Sequence, residues 1–210
     1  MGQSTTIQET YITPIKTQNE TRQLNQWMFD TIRPYLRGRI LEIGSGLGHV
    51  SSLFIENGIT IHLSDADKRY CNILIQKHKG VSTVRDIHVI DFHHSDFERT
   101  YVESLGAFNL LFALNIIDHG CPDTLTIENA KLLLRKGGLL ILVSPAYTAI
   151  YNGLDKDLES WKYYNRDAIQ QFYGDDFDII KARYFSLTAA SDKISLSHSG
   201  LSVIAVGMKK

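Results

Sequence analysis

The chain has few cysteines, almost no net charge and no long apolar run, and each shortage excludes a class of protein. Its 210 residues include only Cys71 and Cys121, too far apart and too isolated for a disulfide framework or a cysteine metal site. The 22 Lys and Arg residues balance 23 Asp and Glu residues, for a net charge of -1, so no overall field attracts nucleic acid. No segment reaches the ~18 apolar residues that a membrane-spanning helix needs. The first thirty residues also lack the pattern of a signal peptide. We therefore expect a cytoplasmic protein without a nucleic-acid partner, membrane insertion or a bound metal.

The rest of the composition is typical of a globular domain. Hydrophobic residues make up 43% of the chain and charged residues 21%, which leaves enough apolar surface for one large core. A length of 210 residues suits one domain, and there is no repeat or low-complexity linker that would divide it. We expect residues 1–210 to form a single domain.

Apolar strand patterns alternate with helical patterns through the middle of the sequence. The runs predict five strands, at 39–43, 59–63, 87–91, 108–114 and 139–144. Helices are predicted between them, at 51–57, 67–79, from a Ser95–Glu98 capping box, and at 123–135. Such alternation indicates a doubly wound α/β fold with a mainly parallel sheet.

The ends of the chain add further elements to this core. An apolar face predicts an N-terminal helix over 20–36, bent or ended by Pro34. An aromatic segment over 147–164 and a helix over 165–173 are expected to form a short cap. The last two strands, 177–187 and 201–208, have too short a connection for a parallel crossover, so we expect them to pair antiparallel. The sheet would then have seven strands with the last one reversed.

A glycine-rich turn follows the first predicted strand, where α/β sheets usually bind ligands. It reads Leu41-Glu42-Ile43-Gly44-Ser45-Gly46-Leu47-Gly48. Gly44 and Gly46 allow a tight turn and close approach of a ligand, and we expect neighbouring amides to remain free to donate hydrogen bonds. The dinucleotide fingerprint needs a third glycine where His49 stands. The Glu42 carboxylate would repel a pyrophosphate and attract an ammonium or sulfonium centre, so the expected ligand is cationic.

This turn resembles the first motif of the class I S-adenosylmethionine-dependent methyltransferases, and the resemblance extends closely over 39–145. It implies a Rossmann-like fold, S-adenosyl-L-methionine as cofactor and S-adenosyl-L-homocysteine as product. Asp65 matches the acidic residue that holds the ribose hydroxyls in that family, with Ala66 beside it, while Asp67 is better suited to capping a helix. Asp91 and Phe92 match the adenine-binding corner.

The resemblance also divides the chain by role. It implies an N-terminal helical segment at 1–38, a cofactor-binding core at 39–145, an acceptor-binding cap at 146–175 and terminal strands at 176–210. Two residues at the end of the fourth strand complete the cofactor-binding set, which comprises Glu42, Gly44, Ser45, Gly46, Asp65, Ala66, Asp91, Phe92, Leu114 and Asn115.

Catalysis by methyl transfer needs in-line positioning and exclusion of water more than a dedicated catalytic group. His119 is the candidate general base, because it follows the fourth strand and histidine side chains ordinarily titrate near neutrality, although a structural role is the stronger interpretation. Aromatic residues could enclose a small-molecule acceptor, namely Tyr11, Tyr147, Tyr151, Trp161 and Tyr164.

Three functions remain open from the sequence. The first is a methyltransferase acting on a small molecule, preferably at an oxygen atom. The second is a Rossmann-type oxidoreductase that uses a nucleotide cofactor. The third is a protein that binds S-adenosylmethionine without catalysis.

Overall fold

The computed structural model describes residues 18–114, 123–145, 166–187, 194–197 and 202–210. In order along the chain, these residues form six helices and eight strands: α1 (Gln18–Ile32), β1 (Ile40–Ile43), α2 (His49–Glu56), β2 (Ile61–Asp65), α3 (Lys68–Lys77), β3 (Val84–Val89), α4 (Phe97–Thr100), β4 (Phe108–Leu114), α5 (Asp123–Leu133), β5 (Leu134–Pro145), α6 (Arg166–Tyr173), β6 (Phe177–Leu187), β7 (Ile194–Ser197) and β8 (Ser202–Lys209). No helix among these residues is long and apolar enough to span a membrane.

All eight strands belong to one sheet, in the order β3-β2-β1-β4-β5-β8-β6-β7. The first five strands run parallel, and β8 lies antiparallel between β5 and β6. The doubly wound class, the reversed last strand and the antiparallel pairing of the two terminal strands are confirmed. The predicted count of seven strands was one too low, because the Ser-rich connection before β8 contains the short edge strand β7.

Helices cover both faces of this sheet and divide the core in two. On one face, α1, α2 and α3 pack through Phe29, Phe54 and Leu74. The Phe54 ring stacks on Phe112 of β4 with centroids 4.8 Å apart, which fixes α2 over the centre of the sheet. On the other face, the cluster contains residues of α4, α5 and α6. The central strands are therefore buried on both sides, as their near-continuous apolar runs require.

Glycine permits a close contact where α6 meets β8. The Tyr173 side chain lies over Gly207, and a Cβ at that position would come within 2.4 Å of the ring. The Tyr173 hydroxyl donates toward two main-chain carbonyls, those of Leu140 and Ala205, at 3.2 and 3.1 Å. Burial raises the pKa of Tyr173 well above its ordinary value, so the hydroxyl keeps its proton.

Local signals set most element boundaries. The N-terminal helix ends at Ile32 and is followed by a 3₁₀ turn, Arg33–Tyr35, that contains Pro34, so the helix ends near this proline as expected. Asp67 caps α3 by accepting from the Arg69 amide at 2.8 Å, which confirms its capping role. The prediction that a Ser95–Glu98 capping box opens the next helix was wrong. The short helix α4 starts at Phe97 after Asp96, which makes no side-chain capping bond and whose carboxylate instead lies 2.7 Å from Arg99 Nε.

Candidate functional site

The candidate site lies at the carboxyl ends of the central strands. Strand β1 has β2 on one side and β4 on the other, so the winding of the sheet changes direction between β1 and β4. Ligands of doubly wound sheets bind in the crevice at such a point. The turn over 44–48 leaves β1 here, and Leu114 ends β4 beside it, since Ile43 pairs with Ala113.

The turn depends on left-handed backbone at its glycines. Gly46 has φ +52°, and no atom of the described residues lies within 4 Å of a Cβ built on it, so those residues leave room for an approaching molecule. Gly48 has φ +73° at the N-cap position of α2, where a Cβ would lie 2.8 Å from the Leu74 side chain. One glycine thus leaves room for a ligand, and the other lets α2 pack against α3.

Strand β2 holds the turn through several hydrogen bonds. The Ser45 amide donates to the Ser64 carbonyl at 2.8 Å, and the Ser64 amide donates to the Ser45 hydroxyl at 3.2 Å. The Gly46 amide donates to Asp65 Oδ2 at 2.9 Å. The expectation that these neighbouring amides are free was therefore wrong, because β2 already occupies them.

Asp65 occupies the centre of this network. Besides the Gly46 amide, its other oxygen accepts from the Asp67 amide at 2.9 Å. A carboxylate oxygen has two acceptor positions, so each oxygen of Asp65 can still accept one further hydrogen bond. The Asp65 carboxylate is partly buried and oriented by the backbone, which suits it to hold the two hydroxyls of a diol. Ala66, by contrast, is exposed between the two aspartates.

Glu42 lies beneath the turn with only 3% of its surface exposed. Its carboxyl group accepts from the Ser51 hydroxyl of α2. Burial raises the pKa of Glu42 to about 7, hydrogen bonds from Ser51 and Ser45 oppose the shift, and the negative charge of Asp65 adds to it. A cation above the turn would favour the ionised form, whereas a phosphate would oppose it.

Lys77 of α3 supports the turn from outside. Its ammonium donates to the Leu47 carbonyl at 2.9 Å and to the Gly48 carbonyl at 3.3 Å. Its charge also lowers the pKa of Glu42 slightly, as the weakest of the contributions. The sequence interpretation missed both Lys77 and Ser51, although a Ser one helical turn into α2 could have indicated a partner for the buried Glu42.

The second acidic corner follows β3. The Ile90 amide donates to the Asp65 carbonyl at 3.0 Å, so Asp91 begins next to the end of β2. Asp91 Oδ1 accepts from the His93 amide at 2.9 Å, and the side chain is 45% exposed. The Phe92 ring is buried, and its centroid lies 5.4 Å from that of the Phe97 ring. Asp91 thus lies partly exposed next to the end of β2, whereas the Phe92 ring forms part of the core.

The structure brings together most of the predicted cofactor-binding residues. The turn over 44–46, Glu42, Asp65, Ala66, Asp91 and the end of β4 all lie at the carboxyl edge of the sheet. Asn115 and His119 lie outside the described residues, as do the predicted acceptor-lining residues Tyr11, Tyr147, Tyr151, Trp161 and Tyr164.

Comparison by sequence covered protein-family models and curated proteins. No protein-family model matches the chain, and no curated protein matches it.

Comparison by structure finds many similar chains. A Thermotoga maritima S-adenosylmethionine-dependent methyltransferase, described as a possible histamine N-methyltransferase, aligns with TM-score 0.65 and 15% identity over 91% of each chain. The N-methyltransferase NodS from Bradyrhizobium japonicum aligns with TM-score 0.62 and 13% identity, over 93% of this chain and 99% of that one. The [4+2]-cyclase SpnF aligns with TM-score 0.63 and 12% identity, over 90% and 80%. Together with the strand order and the turn after β1, these alignments show that the chain has the fold of the class I S-adenosylmethionine-dependent methyltransferases.

Proposed function

We propose that this protein is an S-adenosylmethionine-dependent methyltransferase that transfers a methyl group to a small molecule, at an oxygen atom. The observation that carries the proposal is the pair of carboxyl groups at the glycine-rich turn. Glu42 lies buried beneath the turn, and Asp65 accepts from the Gly46 amide within it.

The residues present fit the cofactor that this fold implies. The open side of Gly46 would accept the methionine part, with Glu42 providing negative potential for its cationic groups. The free acceptor positions of Asp65 would hold the ribose hydroxyls. The exposed carboxylate of Asp91 would accept from the adenine amine. When bound, S-adenosylmethionine supplies an electrophilic methyl group on a sulfonium centre.

The same groups argue against a nucleotide oxidoreductase. Turns that bind pyrophosphate offer free backbone amides and the positive end of a helix. Here the amides of Ser45 and Gly46 are already bound to β2, and two carboxyl groups lie next to the turn. A nicotinamide or flavin dinucleotide would meet repulsion where it needs donors.

The fold of the cyclase SpnF shows that methyl transfer does not follow from the fold alone. A non-catalytic S-adenosylmethionine-binding protein is the remaining alternative. Incubation of the protein with S-adenosylmethionine and a panel of phenols, alcohols, amines and thiols distinguishes these cases. Methyltransferase activity releases S-adenosylhomocysteine with a matching methylated product. Tight cofactor binding with no S-adenosylhomocysteine formed in the presence of any acceptor would contradict methyl transfer.

The role of Asp65 can be separated from a general effect of lost charge. Asp65→Ala removes the proposed ribose partner, whereas Asp67→Ala removes a nearby carboxylate that caps α3. Since hydrogen bonds to a charged group contribute about 1.5 to 3 kcal/mol, Asp65→Ala should weaken S-adenosylhomocysteine binding about tenfold or more in calorimetry. Asp67→Ala should change the affinity less than about threefold. Equal losses in the two variants would refute the ribose assignment.

A further inference from the structure

Three potential metal ligands lie together in the β2–β3 part of the sheet, apart from the residues of the candidate site. His62 Nδ1 lies 3.4 Å from His88 Nε2 and 3.5 Å from a carboxylate oxygen of Asp86. All three ligand atoms lie within 4.8 Å of one another. Two imidazoles and one carboxylate are a ligand set that zinc accepts.

An irregularity in β3 places these side chains on one face. Ile61 pairs with Val84 and Leu63 with Ile87, so one residue of β2 stands opposite two residues of β3. Without this bulge, Asp86 would pair with Leu63 and point to the opposite face from His62. Bulges re-aim side chains in this way. Asp86 and His88 are two residues apart and therefore share the face of His62.

The two separations from His62 match four-coordinate zinc better than a hydrogen bond. Two nitrogen ligands about 2.05 Å from a tetrahedral zinc ion lie about 3.3 Å apart. The measured separations from His62 Nδ1 are 3.4 and 3.5 Å, whereas a direct N–H···N bond of 3.4 Å is long. We propose that His62, Asp86 and His88 bind a divalent metal ion of the zinc class, with water as the fourth ligand.

The electrostatics keep both imidazoles available as ligands. Burial, reinforced by the positive charge of Arg39, lowers the pKa of His62 to about 4. Burial also lowers the pKa of His88. Both rings are therefore neutral at pH 7 and have a free lone pair for a metal. Asp86 contributes the negative charge that offsets Arg39 and Arg85, and its side chain is 61% exposed, so water can reach the ion.

The surroundings restrict the orientation of the rings. The Phe108 ring lies edge-on to the His62 ring at 5.3 Å and to the His88 ring at 6.4 Å. Because the ligands belong to two strands, the metal would join the edge strand β3 to β2. His62 lies three residues before Asp65 in β2, so the metal would stabilise the strand that carries the proposed ribose-binding carboxylate.

Zinc binding by the full chain tests this site directly. The protein is freed of metal with a chelator and titrated with Zn²⁺ in competition with a chromophoric chelator. We expect one ion per chain, and at least about tenfold weaker binding in Asp86→Asn and His88→Asn. At a hundredfold excess over the dissociation constant, Zn²⁺ should raise the Tm by about 5 to 10 °C. Co²⁺ in place of Zn²⁺ should give the strong visible absorption of a four-coordinate site.

Matched controls distinguish this site from scattered surface histidines. His49→Asn removes an exposed histidine outside the cluster and should leave Zn²⁺ affinity unchanged. Circular dichroism of the Asp86→Asn and His88→Asn proteins confirms that they are folded before titration. Equal Zn²⁺ affinity in the wild type and both cluster variants would overturn the proposal, as would the weak absorption of six-coordinate Co²⁺.

Discussion

Replacement of Glu42 by Gln should stabilise the protein at pH 8 more than at pH 5. The buried carboxyl group has a pKa of about 7 and keeps its proton up to about that pH, whereas an ordinary glutamate has a pKa of 4.5. Between these values the unfolded state binds fewer protons than the folded state. Stability attributable to Glu42 is therefore fully present below pH 4.5 and falls as the pH rises to about 7.

The size of the effect follows from the two pKa values. At 1.36 kcal/mol per pKa unit, the raised pKa reduces the free energy of unfolding by about 0.8 kcal/mol at pH 5 and about 3.3 kcal/mol at pH 8. Gln keeps an oxygen that can accept from Ser51 but does not ionise. The advantage of Glu42→Gln over the wild type should thus grow by about 2.5 kcal/mol between these pH values.

Urea denaturation of both proteins at pH 5 and pH 8 measures this change. Other titrating groups are common to the two proteins and cancel in the difference. Glu56→Gln, which removes an exposed carboxylate from the end of the same helix as Ser51, should alter stability by less than about 0.5 kcal/mol at either pH. A difference between Glu42→Gln and the wild type that is the same at both pH values would refute the account of a desolvated carboxyl group.

Two further substitutions test the packing around the site and at the far side of the sheet. Tyr173→Phe removes a hydroxyl that donates to two buried carbonyls and should reduce the free energy of unfolding by about 1 to 2 kcal/mol, measured by urea denaturation. An unchanged midpoint would mean that water satisfies those carbonyls. Lys77→Met removes the ammonium bound to the carbonyls of Leu47 and Gly48, and should cost about 1 kcal/mol and weaken S-adenosylhomocysteine binding several-fold. The exposed Lys79→Met is its control and should match the wild type.

The core of the fold was predictable because its signals are local. The fourth strand was predicted at 108–114 and is found at Phe108–Leu114, since its apolar run is interrupted only by Asn109 and is buried on both faces. The glycines at 58 and 80 ended the predicted helices within a few residues of the observed ends, and both have positive φ.

The edges of the sheet were harder to predict because apolar periodicity is weak there. The third strand was predicted at 87–91 and is found at Val84–Val89, where Arg85 and Asp86 obscure the pattern. The short strand Ile194–Ser197 was not predicted, because its sequence resembles a Ser-rich connection. Strand β5 begins at Leu134, earlier than predicted, because Gly137 forms an irregularity within the strand instead of a turn before it.

The candidate site was predictable as far as it depends on chain order. Glu42, Gly44 and Gly46 lie at the end of β1 or just after it, and Asp65 ends β2, so parallel topology alone brings them to one edge. The position of Ser51 in α2 could have indicated a partner for Glu42, whereas the contact of Lys77 was not predictable, because it depends on how α3 packs against the turn. The His62–Asp86–His88 cluster depends on a bulge that the sequence does not indicate.

Isothermal calorimetry with S-adenosylmethionine, S-adenosylhomocysteine and the nicotinamide dinucleotides tests the central claim most directly. The paired carboxyl groups at the turn predict micromolar binding of the first two ligands and none of the dinucleotides. Binding of a nicotinamide dinucleotide without binding of S-adenosylmethionine or S-adenosylhomocysteine would contradict the proposed function.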